Sequence, residues 1–446
     1  MARTALAVMD IFFSILGILL FIQSLLALIS AIRFTRYALR PSPPRQTRYQ
    51  PKAVVIVPCR GLELDFEENI RAILAQDYRD YEVVFVTESE TDPAHGALSR
   101  LLKQSRRLSP SAPPTWMVVA GESKNQGQKV HNLCAAIDTL NSIDRRVEAL
   151  VFADSDTRPA RNWLADLVAP LGDKRIGATT GYRWYLPSKG MRNPTEAFAS
   201  TLLSIWNSSA LGLLGDHSQF AWGGSTAIRR ENFDRIGVKK RWQGAASDDY
   251  VLTSAIHDNK QRIKFVPQCL VASHSDVTIK SLLEFTTRQM RITRVYSPRI
   301  WKLACFAHGL YNLAFWGGLI WLIVSSLTGR GLNYALTVSL ASIFLFGAIT
   351  GAMRARVAAR LLTPGQGKKS WWAFLSLGPV VSLIYLYNII ASARTTRIVW
   401  RDIGYDLVSP NETVILHRPA QRVPAGKASR GARRGSSSVR SSSQKR

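Results

Sequence analysis

From about Ile11 to Ile32 the chain is almost wholly apolar, interrupted by Gln23 and a few serines, and this run limits the architecture more than any other feature. About 20 consecutive apolar residues are needed to cross the hydrocarbon core of a bilayer. A cleaved signal peptide has a shorter apolar region and ends at a small-residue cleavage site. Here Arg33, Arg36 and Arg40 follow instead, and positive charge at that end places it on the cytosolic side. Residues 1–40 are therefore expected to form a retained transmembrane anchor, and the Pro-rich, basic residues 41–51 a linker.

Three more apolar stretches lie at about Leu303–Leu327, Leu332–Ala352 and Trp371–Ala393. Residues 299–400 accordingly read as a C-terminal cluster of membrane helices, which makes the chain a multi-pass integral membrane protein. Arg354, Arg356, Arg360, Lys368 and Lys369 look cytosolic by the same charge rule, and so do Arg394 and Arg397. Three full crossings that start in the cytosol would end outside, so these constraints conflict. A re-entrant stretch would lift the conflict, with Gly378-Pro379 a plausible break; the sequence leaves the choice open. After Glu412 no acidic residue remains. Residues 401–446 are expected to be a disordered basic tail, too poor in apolar residues to fold and suited to weak contact with lipid head groups.

The formal net charge of +27 fits either a nucleic-acid binder or a protein resting on an anionic membrane. The apolar stretches favour the membrane, where each basic residue near anionic lipid gains about 1 kcal/mol. There is no zinc-finger spacing and no RNA-recognition motif, so no nucleic-acid partner is expected. Cys59, Cys134, Cys269 and Cys305 form no CxxC pair. Such sparse usage suits a reducing compartment, and the soluble domain, residues 52–298, is expected on the cytosolic face.

Within that domain, Ala53–Pro58 is a continuous β-rich run of the kind found in buried parallel strands. A helical pattern from about Glu67 to Ala75 follows, then strands at Tyr81–Thr87 and Trp116–Ala120, a helix over Lys129–Leu140, and a strand at Ala149–Ala153. The alternation predicts a parallel α/β sheet with ligands at the carboxyl ends of its strands. No GxGxxG follows the first strand, which argues against a dinucleotide.

The acids sit where that rule puts a ligand. Glu88, Glu90 and Asp92 follow the second strand, and Asp154-Ser155-Asp156 the fourth. Acids after strands also cap helices or solvate loops. The Asp154/Asp156 spacing, however, puts two carboxylates on one tight turn. A hard divalent cation takes one or two carboxylates plus phosphate oxygens, and there it would neutralise a diphosphate leaving group.

The order Val55-Ile56-Val57-Pro58, Glu88 to Asp92, Asp154-Ser155-Asp156, Ser247-Asp248-Asp249 and Arg288-Gln289-Met290-Arg291 resembles the family 2 type of glycosyltransferase. With Asp92-Pro93-Ala94, Lys129-Val130-His131-Asn132-Leu133 and Asp248-Asp249-Tyr250, it resembles more closely the ceramide glucosyltransferase family (family 21) and its bacterial relatives. The resemblance covers about residues 50 to 300 and the membrane plan. It implies an α/β, GT-A (Rossmann-like) nucleotide-sugar domain between an N-terminal anchor and a C-terminal helical membrane cluster. It also implies inverting transfer of a sugar, glucose first, from a UDP-sugar donor to a lipid acceptor, with Mg²⁺ or Mn²⁺ as cofactor. Glu88 would contact the uridine, with Asp92 beside it. Asp154 and Asp156 would hold the diphosphate through the metal, and Lys129 would approach the phosphates unless it is an ordinary surface lysine. Asp249 would be the general base, with adjacent Asp248 able to exchange roles with it. Arg288 and Arg291 match the family's (Q/R)xxRW element. Their i, i+3 spacing puts both on one helix face, where they would stabilise the leaving diphosphate. With Arg294 and Arg299 they also suit a basic helix lying on lipid.

One departure stands out: the Trp of that element is Ile292 here. Loss of the aromatic platform argues against a growing glycan acceptor, and so against a processive polysaccharide synthase, and fits a single transfer to a lipid. A noncatalytic membrane scaffold would need Asp154, Asp156 and Asp249 to be dispensable. In Phe220-Ala221-Trp222-Gly223-Gly224-Ser225, the glycines would allow close backbone approach to donor or acceptor, or mark a plain turn. His217, just upstream, reads as structural or solvent-facing.

Overall fold

The structure is a computed structural model, which describes residues 2–41, 49–108, 112–142, 146–187, 193–329, 331, 333–362 and 371–418. Most of the expected linker (42–48) and the tail beyond 418 lie outside the described residues.

The soluble domain is built on a seven-stranded sheet of β1 (Ala53–Pro58), β2 (Tyr81–Thr87), β3 (Thr115–Val119), β4 (Ala149–Ala153), β5 (Ile176–Leu186), β6 (Ser225–Arg229) and β7 (Arg262–His274), in the order β3-β2-β1-β4-β6-β5-β7. The apolar runs of β1, β2 and β4 have no polar face because both faces are covered. Val55, Val57, Val83, Phe85 and Val151 pack into one apolar layer, and Val54, Ile56, Val84, Val86, Leu150 and Phe152 into another. Such double burial is the signature of strands flanked by helices.

Strands β1 to β4 are mutually parallel, as the sequence predicts. Strand β6 is not: it runs antiparallel to both β4 and β5, so the sheet is mixed although parallel-dominated. The reason lies at the ligand end. The chain turns through Gly223-Gly224 beside Asp154, where Asp154 N donates to Gly224 O (3.4 Å), and can only run back down the sheet from there.

A second correction concerns the C-terminal segment. Residues 397–417 are not a disordered tail. They form a three-stranded antiparallel sheet of β8 (Arg397–Trp400), β9 (Ile403–Ser409) and β10 (Glu412–His417). Ile403, Tyr405 and Leu407 alternate inward and are buried with Ile398 and Ala246 against half-buried Ile292, Val295 and Tyr296. That alternating face supplies the apolar area that the basic sequence beyond it lacks. Ile292 therefore faces this sheet, which accounts for an aliphatic residue at the position.

Among the described residues, three helices are long and apolar enough to cross a membrane: Ala7–Ala38, Pro298–Leu327 and Tyr334–Leu361. Outward residues such as Ile11, Leu26, Leu327 and Val338 are exposed, as expected of side chains that face lipid. The last apolar stretch differs. It breaks at Leu377 into helices Trp371–Ser376 and Gly378–Arg394, with the break at the Gly-Pro step. A helix of 17 residues is about 25 Å long, short of the roughly 30 Å core. It seats instead against the soluble domain. Tyr385 stacks on Trp206 with ring centroids 5.0 Å apart, and Asn388 Oδ1 accepts from Thr286 Oγ1 (3.1 Å) and Thr287 Oγ1 (3.0 Å). The N-terminal helix is clamped to the domain too: Tyr37 OH donates to Phe265 O (2.6 Å).

Candidate active site

Asp154 is the first residue past β4, and Ser247 N-caps the helix Asp248–Asp258. Between them lies Lys129, on the helix Gln128–Ser142. Its ammonium bridges Asp154 Oδ1 (2.9 Å) and Asp248 Oδ1 (3.1 Å). Lys129 is thus a half-buried bridge between two acids rather than a surface lysine. Burial alone would lower its pKa, but the carboxylates of Asp154 and Asp248 outweigh burial and the net shift is upward.

Arg183 was not foreseen from the sequence, and the fully buried strand β5 carries it to the same point. Its Nη2 reaches both Asp154 Oδ2 (3.0 Å) and Asp156 Oδ1 (2.9 Å), and its Nη1 donates to Asp156 Oδ2 (3.1 Å) and to Tyr185 OH (2.7 Å). The guanidinium also lies over the Trp222 ring, 4.7 Å from its centroid, a favourable cation–π contact. Three carboxylates and two cations therefore share one cluster, in which Arg183 and Asp248 are buried and Lys129, Asp154 and Asp156 half-buried. Burial pushes Asp154 upward, but Lys129 and Arg183 more than reverse it and hold its pKa low. For Asp156 burial prevails over Arg183, and the pKa is raised. Burial lifts Asp248 to about 6, against the pull of Lys129.

The glycines of the Gly223-Gly224 turn are required by this cluster. A Cβ at 223 would collide with Asp248 Oδ2, and one at 224 would lie 2.6 Å from Asp154 Oδ2 and collide with the Trp222 ring. Backbone packs directly on the acids there, and only glycine fits.

Asp249 points elsewhere. Its Oδ1 accepts from Tyr250 N (2.8 Å) and from Ser247 Oγ, and its Oδ2 makes no hydrogen bond among the described residues. Asp249 is half-buried whereas Asp248 is buried. Of the adjacent pair, Asp248 is committed to Lys129 while Asp249 keeps a free oxygen.

The acids after β2 form a separate group. Glu88 is buried and pairs with Arg60, from the loop after β1, and with Arg418 (2.7 Å). Asp92 is used structurally: its Oδ1 accepts from Gly61 N (2.9 Å) and Ala94 N (2.8 Å), tying the β1 loop to the start of the helix Pro93–Leu108. Glu90 is exposed, as is His217.

The two arginines of the helix Ile279–Tyr296 separate. Arg288 lies close enough to Asp156, Tyr185 and Arg183 to interact with them electrostatically, with its Nη1 3.4 Å from Val399 O. Arg291 donates to Arg397 O (2.8 Å) and is turned toward β8, away from the acids. Burial lowers the pKa of both.

Among the described residues no group of three His, Cys, Asp or Glu side chains could hold a metal by itself. Asp154 and Asp156 do converge on one cationic nitrogen, Arg183 Nη2. Two converging carboxylates fit a hard cation that completes its shell from a phosphorylated ligand.

The sequence profile of glycosyl transferase family 21 matches residues 18–413. Among solved structures, a mannosyltransferase from Pyrobaculum calidifontis, PcManGT in complex with GDP-Man and Mn²⁺, is 18% identical with a TM-score of 0.46, covering 86% of this chain and 98% of that one. GalNAc-T7 with UDP, GalNAc and Mn²⁺ is 16% identical with a TM-score of 0.36, covering 55% and 48%. With the family profile spanning most of its length, the chain belongs to glycosyl transferase family 21 and is a glycosyltransferase.

Proposed function

We propose that this family 21 enzyme transfers glucose from UDP-glucose, with inversion, to the hydroxyl of a ceramide-like membrane lipid at the cytosolic face. The observation that carries the reading is the partly buried cluster of Asp154, Asp156, Asp248, Lys129 and Arg183 at the carboxyl end of β4. It lies one residue from a carboxylate with a free oxygen, in a domain seated on apolar helices.

In this reading Glu88 accepts from the uracil N3–H, the one N–H donor on that base edge. Asp156 and Asp154 would hold a divalent cation, Mg²⁺ or Mn²⁺, which would supply neutralising charge to the diphosphate. Lys129, Arg183 and Arg288 add fixed positive charge around the leaving group in a site shielded from water. Asp248 anchors Lys129, which leaves Asp249 to take the acceptor proton through its free Oδ2. Attack from the face opposite the diphosphate inverts the anomeric carbon. With the Gly378–Arg394 helix seated on the domain rather than spanning, two crossings follow the soluble domain, and both of its ends stay in the cytosol with Arg33, Arg36, Arg394 and Arg397.

Membranes carrying the enzyme, given radiolabelled UDP-glucose, UDP-galactose or UDP-N-acetylglucosamine with Mg²⁺ and ceramide, test this. Label from UDP-glucose in the organic extract is expected. Label in a water-insoluble polymer, or none in either fraction from folded protein, would overturn it.

A further inference from the structure

The strand β10 ends at His417, and the next residue, Arg418, reaches Glu88. Its Nη1 donates to Glu88 Oε1 (2.7 Å), and its Nη2 to Ser123 O (2.6 Å) and Gln128 Oε1 (3.0 Å). These three acceptors belong to a prepared wall. The Gln128 carboxamide is oriented by its own bonds, its Nε2 donating to Gly121 O (2.9 Å) and Asn132 Oδ1 (2.8 Å) and its Oε1 accepting from Ser123 N (2.9 Å). The acceptor oxygen therefore has to face Arg418.

The placement of Arg418 is equally fixed. Strand β10 pairs with β9, and the buried Tyr405 of β9 sets its hydroxyl 3.3 Å from Gln128 N, at the base of the same wall. Position 404 has no room for a Cβ because the His417 ring lies on it. Arg418 also lies beyond residues 18–413, which the family profile matches.

We propose that Arg418 is an intrasteric occupant of the nucleobase subsite, which the donor must displace to bind. This rests on the assignment of Glu88 to the uridine. A uracil N3–H and an arginine N–H are both donors to the Glu88 carboxylate, which also faces Arg60. The Arg418 guanidinium, held between Glu88 Oε1, Ser123 O and Gln128 Oε1, fills the space that a base edge facing Glu88 would need. Apparent donor affinity is then the intrinsic affinity reduced by the fraction of enzyme in which Arg418 has withdrawn.

The test is equilibrium binding of UDP, with Mg²⁺, to the purified full-length enzyme in detergent. The set comprises wild type, Arg418→Ala, Glu88→Ala and the double variant, with donor KM and kcat measured on the first two. An Arg418 contact formed in about 90% of molecules predicts about tenfold tighter UDP binding in Arg418→Ala, with an equal fall in donor KM and an unchanged kcat. Weaker binding in Arg418→Ala would make it a donor ligand, and unchanged binding an idle contact; either result overturns the proposal. The uridine assignment is read separately. If Glu88→Ala weakens UDP binding in the Arg418→Ala background, that assignment stands whatever Arg418 does. If it does not, Glu88 is not the base site and both readings fall together.

Discussion

The two buried acidic groups of the soluble domain solve the same electrostatic problem with different materials. Around Asp154, Asp156 and Asp248 the compensating cations, Lys129 and Arg183, come from the helix Gln128–Ser142 and the strand β5, which is paired on both sides. Around Glu88 they come from a loop, through Arg60, and from the end of the described chain, through Arg418. Unpaired buried charge is too costly to persist, so each acid must have a partner. A partner carried on the sheet cannot leave without unfolding it, whereas one carried after a terminal strand can. The inner group is accordingly built to hold its charges in place, and the outer group to exchange a partner.

Replacing a partner in each group should separate them most. Arg183→Met leaves Asp154 and Asp156 facing an apolar side chain and should cost about 3–5 kcal/mol of stability, the usual penalty for breaking a buried pair from one side. Arg418→Ala should cost less, because Glu88 keeps Arg60 whereas Asp156 pairs with Arg183 alone among the described residues. Denaturant or thermal unfolding of the detergent-solubilised proteins measures both, and equal losses would erase the distinction between a fixed and a replaceable partner.

A smaller effect should appear in pH dependence. Asp248 titrates at about 6 in the folded protein against 3.8 for an ordinary aspartate. A carboxyl raised in the folded state contributes stability that is fully present below about 4 and is lost as pH rises through about 6. The melting temperature of Asp248→Asn relative to wild type should therefore climb between pH 4 and pH 7. A flat difference would mean that Lys129 compensates Asp248 fully and the inner group carries no stored charge cost.

The same contrast marks what could be read from the sequence. Asp154 and Asp156 were legible because they follow an apolar run whose end is sharp: Ala149–Ala153, like Ala53–Pro58 and Tyr81–Thr87, is a strand with the expected bounds. Arg183 was not, since β5 is an interrupted run (Ile176–Leu186) whose polar residues look like surface until the sheet turns them inward. The turn-anchoring bonds of Asp92 were not legible either, because an acid after a strand reads the same whether it anchors a turn or faces a ligand. The C-terminal sheet was hidden by averaging. The alternation of Ile403, Tyr405 and Leu407, closed by the Pro410-Asn411 turn, is a hairpin signal, but it is diluted when judged together with the Ser-, Arg- and Gly-rich residues that follow. Arg418 could not be read at all, because its meaning comes from a carboxylate 330 residues away in sequence.

The central claim is that the inner group binds the donor while Asp249 performs the chemistry. UDP affinity and turnover measured side by side for Asp154→Asn and Asp249→Asn test it most directly. Asp154→Asn should lose UDP affinity in the presence of Mg²⁺ by at least about tenfold, and turnover with it. Asp249→Asn should bind UDP within about threefold of wild type while kcat falls by about 10²–10⁴. Equal loss of affinity in both variants, or an active Asp249→Asn enzyme, would contradict the account.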